Sequence, residues 1–284
     1  MQDRLKITLL LAPALAVIFV LFFGGLAVGL LRSFSYMPVI GLTEPNLDAY
    51  QSLLTPAVLR SLALTFYIAA TSTVIATVLA VATALLLRRS FPGRAVASFL
   101  VQLNLTIPHL VGAIGILYLF SQSGSFARLA YDFALITKPA DFPALVFDPY
   151  AIGVITTYVW KELPFITVIT LATMQTLGDD HEQVARSLGA TLGQAFRHVL
   201  LPQIMPGVLG ASAIVFAFTF GAYEIPALLG ASHPQTLPVM AYRSFTDTDL
   251  AARPQAMALA MLIAVVSALM IAAYTRALRR KRRG

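Results

Sequence analysis

The sequence has no cysteine, which excludes disulfides and thiol chemistry. Charge is scarce as well: Asp, Glu, Lys and Arg make up 12% of the 284 residues, against about a quarter in soluble proteins. Histidine occurs only four times and without clustered partners, so no metal site is expected. No Gly-x4-Gly-Lys-Ser/Thr run is present, and without one nothing here cradles nucleotide phosphates. No nucleophile stands at a meaningful spacing from a base, so no enzyme is expected. Short repeats and low-complexity segments are missing too, and a single membrane domain over residues 1–284 is the expectation.

What fills the chain is apolar, 58% of all residues. Apolar runs near Ile7–Leu31, Leu62–Leu87, Ala95–Phe120, Ala151–Thr173, Gly207–Leu229 and Gln255–Ala273 each reach the roughly 20 residues a helix needs to cross a bilayer. The expected fold class is therefore an all-α polytopic membrane protein with six transmembrane helices. The first run follows Met-Gln-Asp-Arg-Leu-Lys and resembles a signal sequence at first sight. It outlasts the roughly 7–15-residue core of one, and is expected to remain as the first span.

Charge gives an orientation. With both termini in the cytoplasm, Arg4, Lys6, Arg88, Arg89, Arg94, Arg186, Arg197, Arg276 and the tail Arg279–Arg283 fall inside, thirteen of the 20 basic residues. Arg32, Arg60, Arg128, Lys138, Arg243 and Arg253 fall outside, and Lys161 is expected near a membrane edge. That asymmetry follows the positive-inside rule. The net charge of +7 then reads as topology and contact with anionic membrane lipid. A nucleic-acid tail is the rival reading of the basic run, and its place directly after a span opposes it.

Residues 178–206 interrupt the apolar pattern with GDDHEQVARSLGATLGQAFRHVLLPQIMP. The pattern predicts two short helices joined at a glycine. Asp180 is placed to cap the first, with Gln183 reaching back, and Thr191 to cap the second, with Gln194 in the same relation. Gly189 stands where a left-handed residue ends a helix, and Pro202 is expected to stop the second helix. Such a unit on the membrane surface docks a partner or transmits force. The bland alternative is a helix resting in the headgroups, which the lack of one clean basic face opposes.

The spacing Gln183-Val184-Ala185, three residues, Gly189, nine residues, Val199, one residue, Leu201-Pro202 resembles the Glu-Ala-Ala loop of binding-protein-dependent ABC importer permeases. Gln183 stands where that pattern has Glu, Val184 replaces Ala, Val199 replaces Ile, and Glu182 comes one position early. The likeness extends to Leu59–Thr65, Ile107–Leu110, Trp160–Phe165 and Phe220–Gly230. It is similar to permeases of the spermidine/putrescine group and to relatives for thiamine, iron or phosphonates.

The resemblance implies a type I permease fold in the bacterial cytoplasmic (inner) membrane, with a coupling helix between spans four and five. It implies a second permease subunit, identical or homologous, two ABC ATPase subunits and an extracytoplasmic solute-binding protein. ATP and Mg would act on the ATPase subunits, with no cofactor on this chain. The implied coupling residues are Glu182, Gln183, Ala185, Arg186, Gly189 and Ala190. A gradient-driven secondary transporter or channel is the alternative. It leaves 178–206 unexplained, and the inverted repeat that would favour it is not found.

Glu162 and Glu224 stand in or at the edge of spans. A charge at the centre of a spanning helix costs roughly 2.5–3.5 kcal/mol, so such groups usually face a cavity or a partner. Glu224, Glu162, Tyr223, Pro164, His109 and Asn104 are the candidate solute path, and the two acids favour a polyamine-like cation. Alternatives remain open for each. Glu162 pairs with Lys161 or reaches the interface, Glu224 accepts a hydrogen bond near Pro226, and His109 and Asn104 join helices. Pro108, Pro164 and Pro226 are kinks around a cavity or ordinary membrane prolines.

Overall fold

The computed structural model describes residues 2–178 and 180–281, with side chains for 7–178 and 180–276. Arg282 and Arg283 of the basic tail lie outside the described residues. Among those described, the chain is helical and has no strand beyond an isolated Met37–Leu42 bridge. Six helical segments are long and apolar enough to cross a membrane: Ile7–Ser33, Pro56–Arg88, His109–Asp132, Ile152–Leu177, Leu192–Gly221 and Leu250–Arg276. They are spans one to six below.

Local chemistry fixes the starts of spans two and four. Pro56 opens span two, where a missing N–H costs nothing, and the Thr55 hydroxyl accepts the Val58 N–H at 3.4 Å. Ahead of span four, Asp148 Oδ1 accepts the Ile152 N–H at 2.8 Å.

Two spans depart from the sequence pattern. The run expected over 95–120 is two helices, Arg94–Thr106 and His109–Phe120, separated by extended backbone at Ile107 and Pro108. Proline supplies no N–H and pushes the residue before it out of the helical region, so the helix stops there. The fifth run, expected over 207–229, begins earlier at Leu192 and ends at Gly221. Ala222 is extended, and a separate short helix, Glu224–Leu229, follows. Tyr223 and Glu224 therefore lie just past span five, not within it.

The chain forms two compact units, Met1–Arg60 with Leu237–Val265, and Ser61–Thr236 with Val266–Gly284. In the first, the Ser33 and Tyr50 hydroxyls share a hydrogen bond of 2.7 Å, and the Asn46 N–H donates to the Phe34 carbonyl at 2.8 Å. Span four is the axis of the second unit: 56% of its most apolar window is buried, against 33% for span two and 28% for span five.

Apolar clusters succeed one another along that axis. One gathers Ile68, Ile116, Val154, Tyr158, Ile225 and Leu229; a second Ala76, Ala80, Ile166, Ala211 and Val215; a third Ala84, Met174, Leu200, Ile204 and Val208. Ala76, Ala80 and Ala84 recur every four residues and are fully buried. In a bilayer, lipid tails are as apolar as leucine, so helices associate by close approach of small residues rather than by escape from water.

Candidate functional site

The first helix of the polar loop runs Asp180–Ser187. Asp180 stands inside its first turn rather than ahead of it as a cap, where its carboxylate still meets the positive end of the helix. The far end closes as a Schellman motif. The Ala190 N–H donates to the Ala185 carbonyl at 3.1 Å, and the Gly189 N–H to the Arg186 carbonyl at 3.0 Å. That closure needs a left-handed residue, and Gly189 has φ +91°. Ala185, Arg186, Gly189 and Ala190 thus meet through their backbones.

The second half is closed by a capping box. The Gln194 N–H donates to Thr191 Oγ1 at 3.3 Å, and the Thr191 N–H to Gln194 Oε1 at 2.9 Å. Pro202 does not stop this helix. Leu192–Ala195 passes through a π-helical turn, Phe196–Leu200, into Leu201–Gly221, so the second loop helix is the start of span five. A wider turn before the proline relaxes the clash of its ring with a preceding carbonyl.

The loop helix has two faces. Glu182, Gln183 and Arg186 line a cleft of about 730 Å³ together with Leu85, Arg88, Arg89 and Phe196. Across it, Arg88 Nη1 lies 2.7 Å from Glu182 Oε2. On the other face Val184 is 60% exposed and Leu188 84% exposed, an apolar pair one turn apart.

A second constellation joins spans three and four. Pro164 has no N–H to offer the Trp160 carbonyl, and the Asn104 side-chain amide donates to that carbonyl instead. Pro108 denies the Asn104 carbonyl its i+4 donor, leaving it the Ile107 N–H at 3.3 Å. Lys161 Nζ donates to the same carbonyl at 2.7 Å and to the Ile107 carbonyl at 2.6 Å, with Asn104 Oδ1 at 3.4 Å. Lys161 is 3% exposed, buried among the packed helices.

Glu162 does not pair with Lys161. Its Oε1 lies 3.0 Å from His109 Nε2, and the His109 ring packs on Phe218 with centroids 5.0 Å apart. The neighbouring Gly112 permits the approach, since a Cβ there would stand 2.8 Å from the Trp160 ring.

Four expected path residues, Asn104, His109, Glu162 and Pro164, thus come together in one polar knot. Tyr223 and Glu224 lie at the break after span five, where Glu224 is exposed in the first turn of Glu224–Leu229. Sequence reasoning missed Lys161 and Arg88. The signal for Lys161 was present: Pro108 follows Asn104 by four, and Pro164 follows Trp160 by four. Each spacing marks a carbonyl that lacks its i+4 donor.

The chain belongs to the family described as binding-protein-dependent transport system inner membrane component, whose profile matches residues 72–283. It is 33% identical over 223 residues to the molybdenum transport system permease protein of Mycobacterium tuberculosis, over 76% of this chain and 78% of that one. It is 25% identical over 187 residues to the sulfate transport system permease protein of Escherichia coli, over 66% of this chain and 64% of that one. In fold it is similar to a subunit of a bacterial ABC transporter involved in the import of the acidic polysaccharide alginate. The TM-score is 0.81 at 18% identity, over 98% of both chains.

The protein is therefore a multi-pass inner-membrane permease subunit of an ABC importer for a small solute, a transport component rather than an enzyme. This membership disfavours the gradient-driven alternative. The narrower likeness to spermidine/putrescine permeases finds no support among these relatives.

Proposed function

We propose that this permease imports a small tetrahedral oxyanion of the molybdate or sulfate kind, delivered by an extracytoplasmic binding protein. The observation that carries the reading is the 33% identity to a molybdenum permease over three-quarters of the chain. The site chemistry weakens the cation alternative without itself supplying an anion site. A polyamine path rested on two acids, and one of them, Glu162, is engaged by His109. Lys161 adds no anion site, because an ammonium has three donors and all three point at Asn104 and Ile107. In this reading the knot holds spans three and four as one block, and Tyr223 and Glu224 stay as candidates at the mouth of the path.

Both termini and the 178–206 loop face the cytoplasm, as the basic residues favour. The permease pairs with a second permease and two ATPase subunits. Val184 and Leu188 present the apolar surface that an ATPase covers, and the closed turn at Gly189 keeps that surface rigid. Nucleotide binding on the ATPases biases the permease between inward-facing and outward-facing states, with the loop as the lever.

The test is uptake by cells lacking this chain, with radiolabelled molybdate, sulfate, thiamine and putrescine. Loss of molybdate or sulfate uptake, restored by the plasmid-borne chain, is expected. Loss of putrescine or thiamine uptake with oxyanion uptake intact overturns the substrate reading.

A further inference from the structure

We propose that Arg88 is a positioning residue for coupling: it clasps Glu182 and fastens the loop helix to the cytoplasmic end of span two, so that loop and span move as one body. This rests on the reading of 178–206 as the ATPase-facing loop.

The geometry supports a clasp rather than a chance surface contact. The Arg88–Glu182 separation is 2.7 Å, and the two side chains are only 18% and 22% exposed. A shielded, charge-assisted hydrogen bond of that length is stronger than an exposed ion pair. Both anchors are themselves fixed. Span two ends at Arg88, and the Arg94 Nε donates to the Leu87 carbonyl at 2.7 Å, closing the turn that follows. Glu182 sits in the first turn of Asp180–Ser187, where the helix dipole favours a carboxylate. Leu85, Phe196 and Leu200 pack together close by, in the cluster around Met174 and Ile204, so the ion pair stands beside an apolar layer.

The clasp also gives the displaced acid a role. Position 183 carries a neutral Gln, and the carboxylate one residue earlier lies on the face turned to span two, not on the exposed face of Val184 and Leu188. Arg89 and Arg186 line the same cleft, so losing Glu182 concentrates uncompensated positive charge there.

The test uses the assembled permease–ATPase complex in lipid nanodiscs. This chain has no native cysteine, so, with the partner subunits made cysteine-free and one permease copy labelled, spin labels go on Ser90→Cys and Ser187→Cys, both exposed. The wild-type label pair should give one narrow distance in the nucleotide-free and the vanadate-trapped states. Arg88→Glu should broaden that distribution about twofold or more in both states, and Arg88→Glu with Glu182→Arg should narrow it again, because a swapped pair restores the interaction term. A narrow distribution in Arg88→Glu, or no recovery in the swap, overturns the clasp. Leu188→Asp separates the two readings. If it leaves the ATPase bound, the loop reading fails; if it releases the ATPase while Arg88→Glu changes nothing, the clasp alone fails.

Discussion

Lys161 and Asn104 repair each other's helix. The ammonium of Lys161 donates to the Asn104 carbonyl at 2.7 Å, while the Asn104 amide donates to the carbonyl of Trp160, next to Lys161. Each carbonyl is one that a proline four residues on, Pro108 or Pro164, deprives of its i+4 donor, and the Asn104 carbonyl keeps only the Ile107 N–H at 3.3 Å. In hydrocarbon no water can make up the loss, so broken helices persist only where other groups satisfy them. The exchange lets the helix Arg94–Thr106, which stops before Pro108, lie against the proline-containing span four with these carbonyls satisfied.

Lys161→Met removes the donor to both Asn104 and Ile107. The Ile107 carbonyl is left unsatisfied while the Asn104 carbonyl keeps the Ile107 N–H, so a loss of about 1–3 kcal/mol is expected, read as a lowered unfolding midpoint of the purified protein in lipid or detergent. An unchanged midpoint would remove Lys161 from the repair.

The Asn104 contribution is separable by a double-mutant cycle. Pro164→Ala returns an N–H to the Trp160 carbonyl and makes the Asn104 amide redundant. Asn104→Leu should therefore cost less in the Pro164→Ala background than alone, by at least about 0.5 kcal/mol. Equal costs in both backgrounds would mean the amide does not serve that carbonyl.

At Gly189 the expected fault is backbone strain, not bulk. A Cβ there meets no atom within 4 Å, but φ is +91°. A non-glycine residue in left-handed backbone costs about 1–2 kcal/mol. Gly189→Leu should insert normally and uncouple ATP hydrolysis from uptake, and Gly189→Ala should do nearly the same. Gly189→Asn should keep more coupling, since Asn tolerates this region. Wild-type uptake by Gly189→Leu would count against the loop's part in coupling.

The six apolar runs and the polar loop were legible because membrane spans need length and apolarity, which sequence carries directly. Thr191, Gln194 and Gly189 were legible for a similar reason: capping and left-handed closure are local rules. Pro202 misled because a π-helical turn carries the helix past it, and proline alone does not announce that turn. Lys161 and Glu162 misled because adjacent opposite charges invite pairing, whereas successive residues on a helix point apart. Arg88 and Glu182 are 94 residues apart, and only the fold brings them together.

Glu224 separates the two substrate classes. If the solute is an oxyanion, Glu224→Gln should leave uptake unchanged or raise it, since an exposed carboxylate at the break after span five repels an anion. Uptake reduced several-fold with the complex still assembled would return Glu224 to a cation path and weaken the oxyanion reading.

The most direct measurement is affinity purification of the tagged chain from gently solubilised native membranes, with mass spectrometry of its companions. The account predicts an ABC ATPase at comparable abundance, together with a second permease or a second copy of this chain. A chain recovered without any ATPase, under conditions that keep related importers intact, would contradict it.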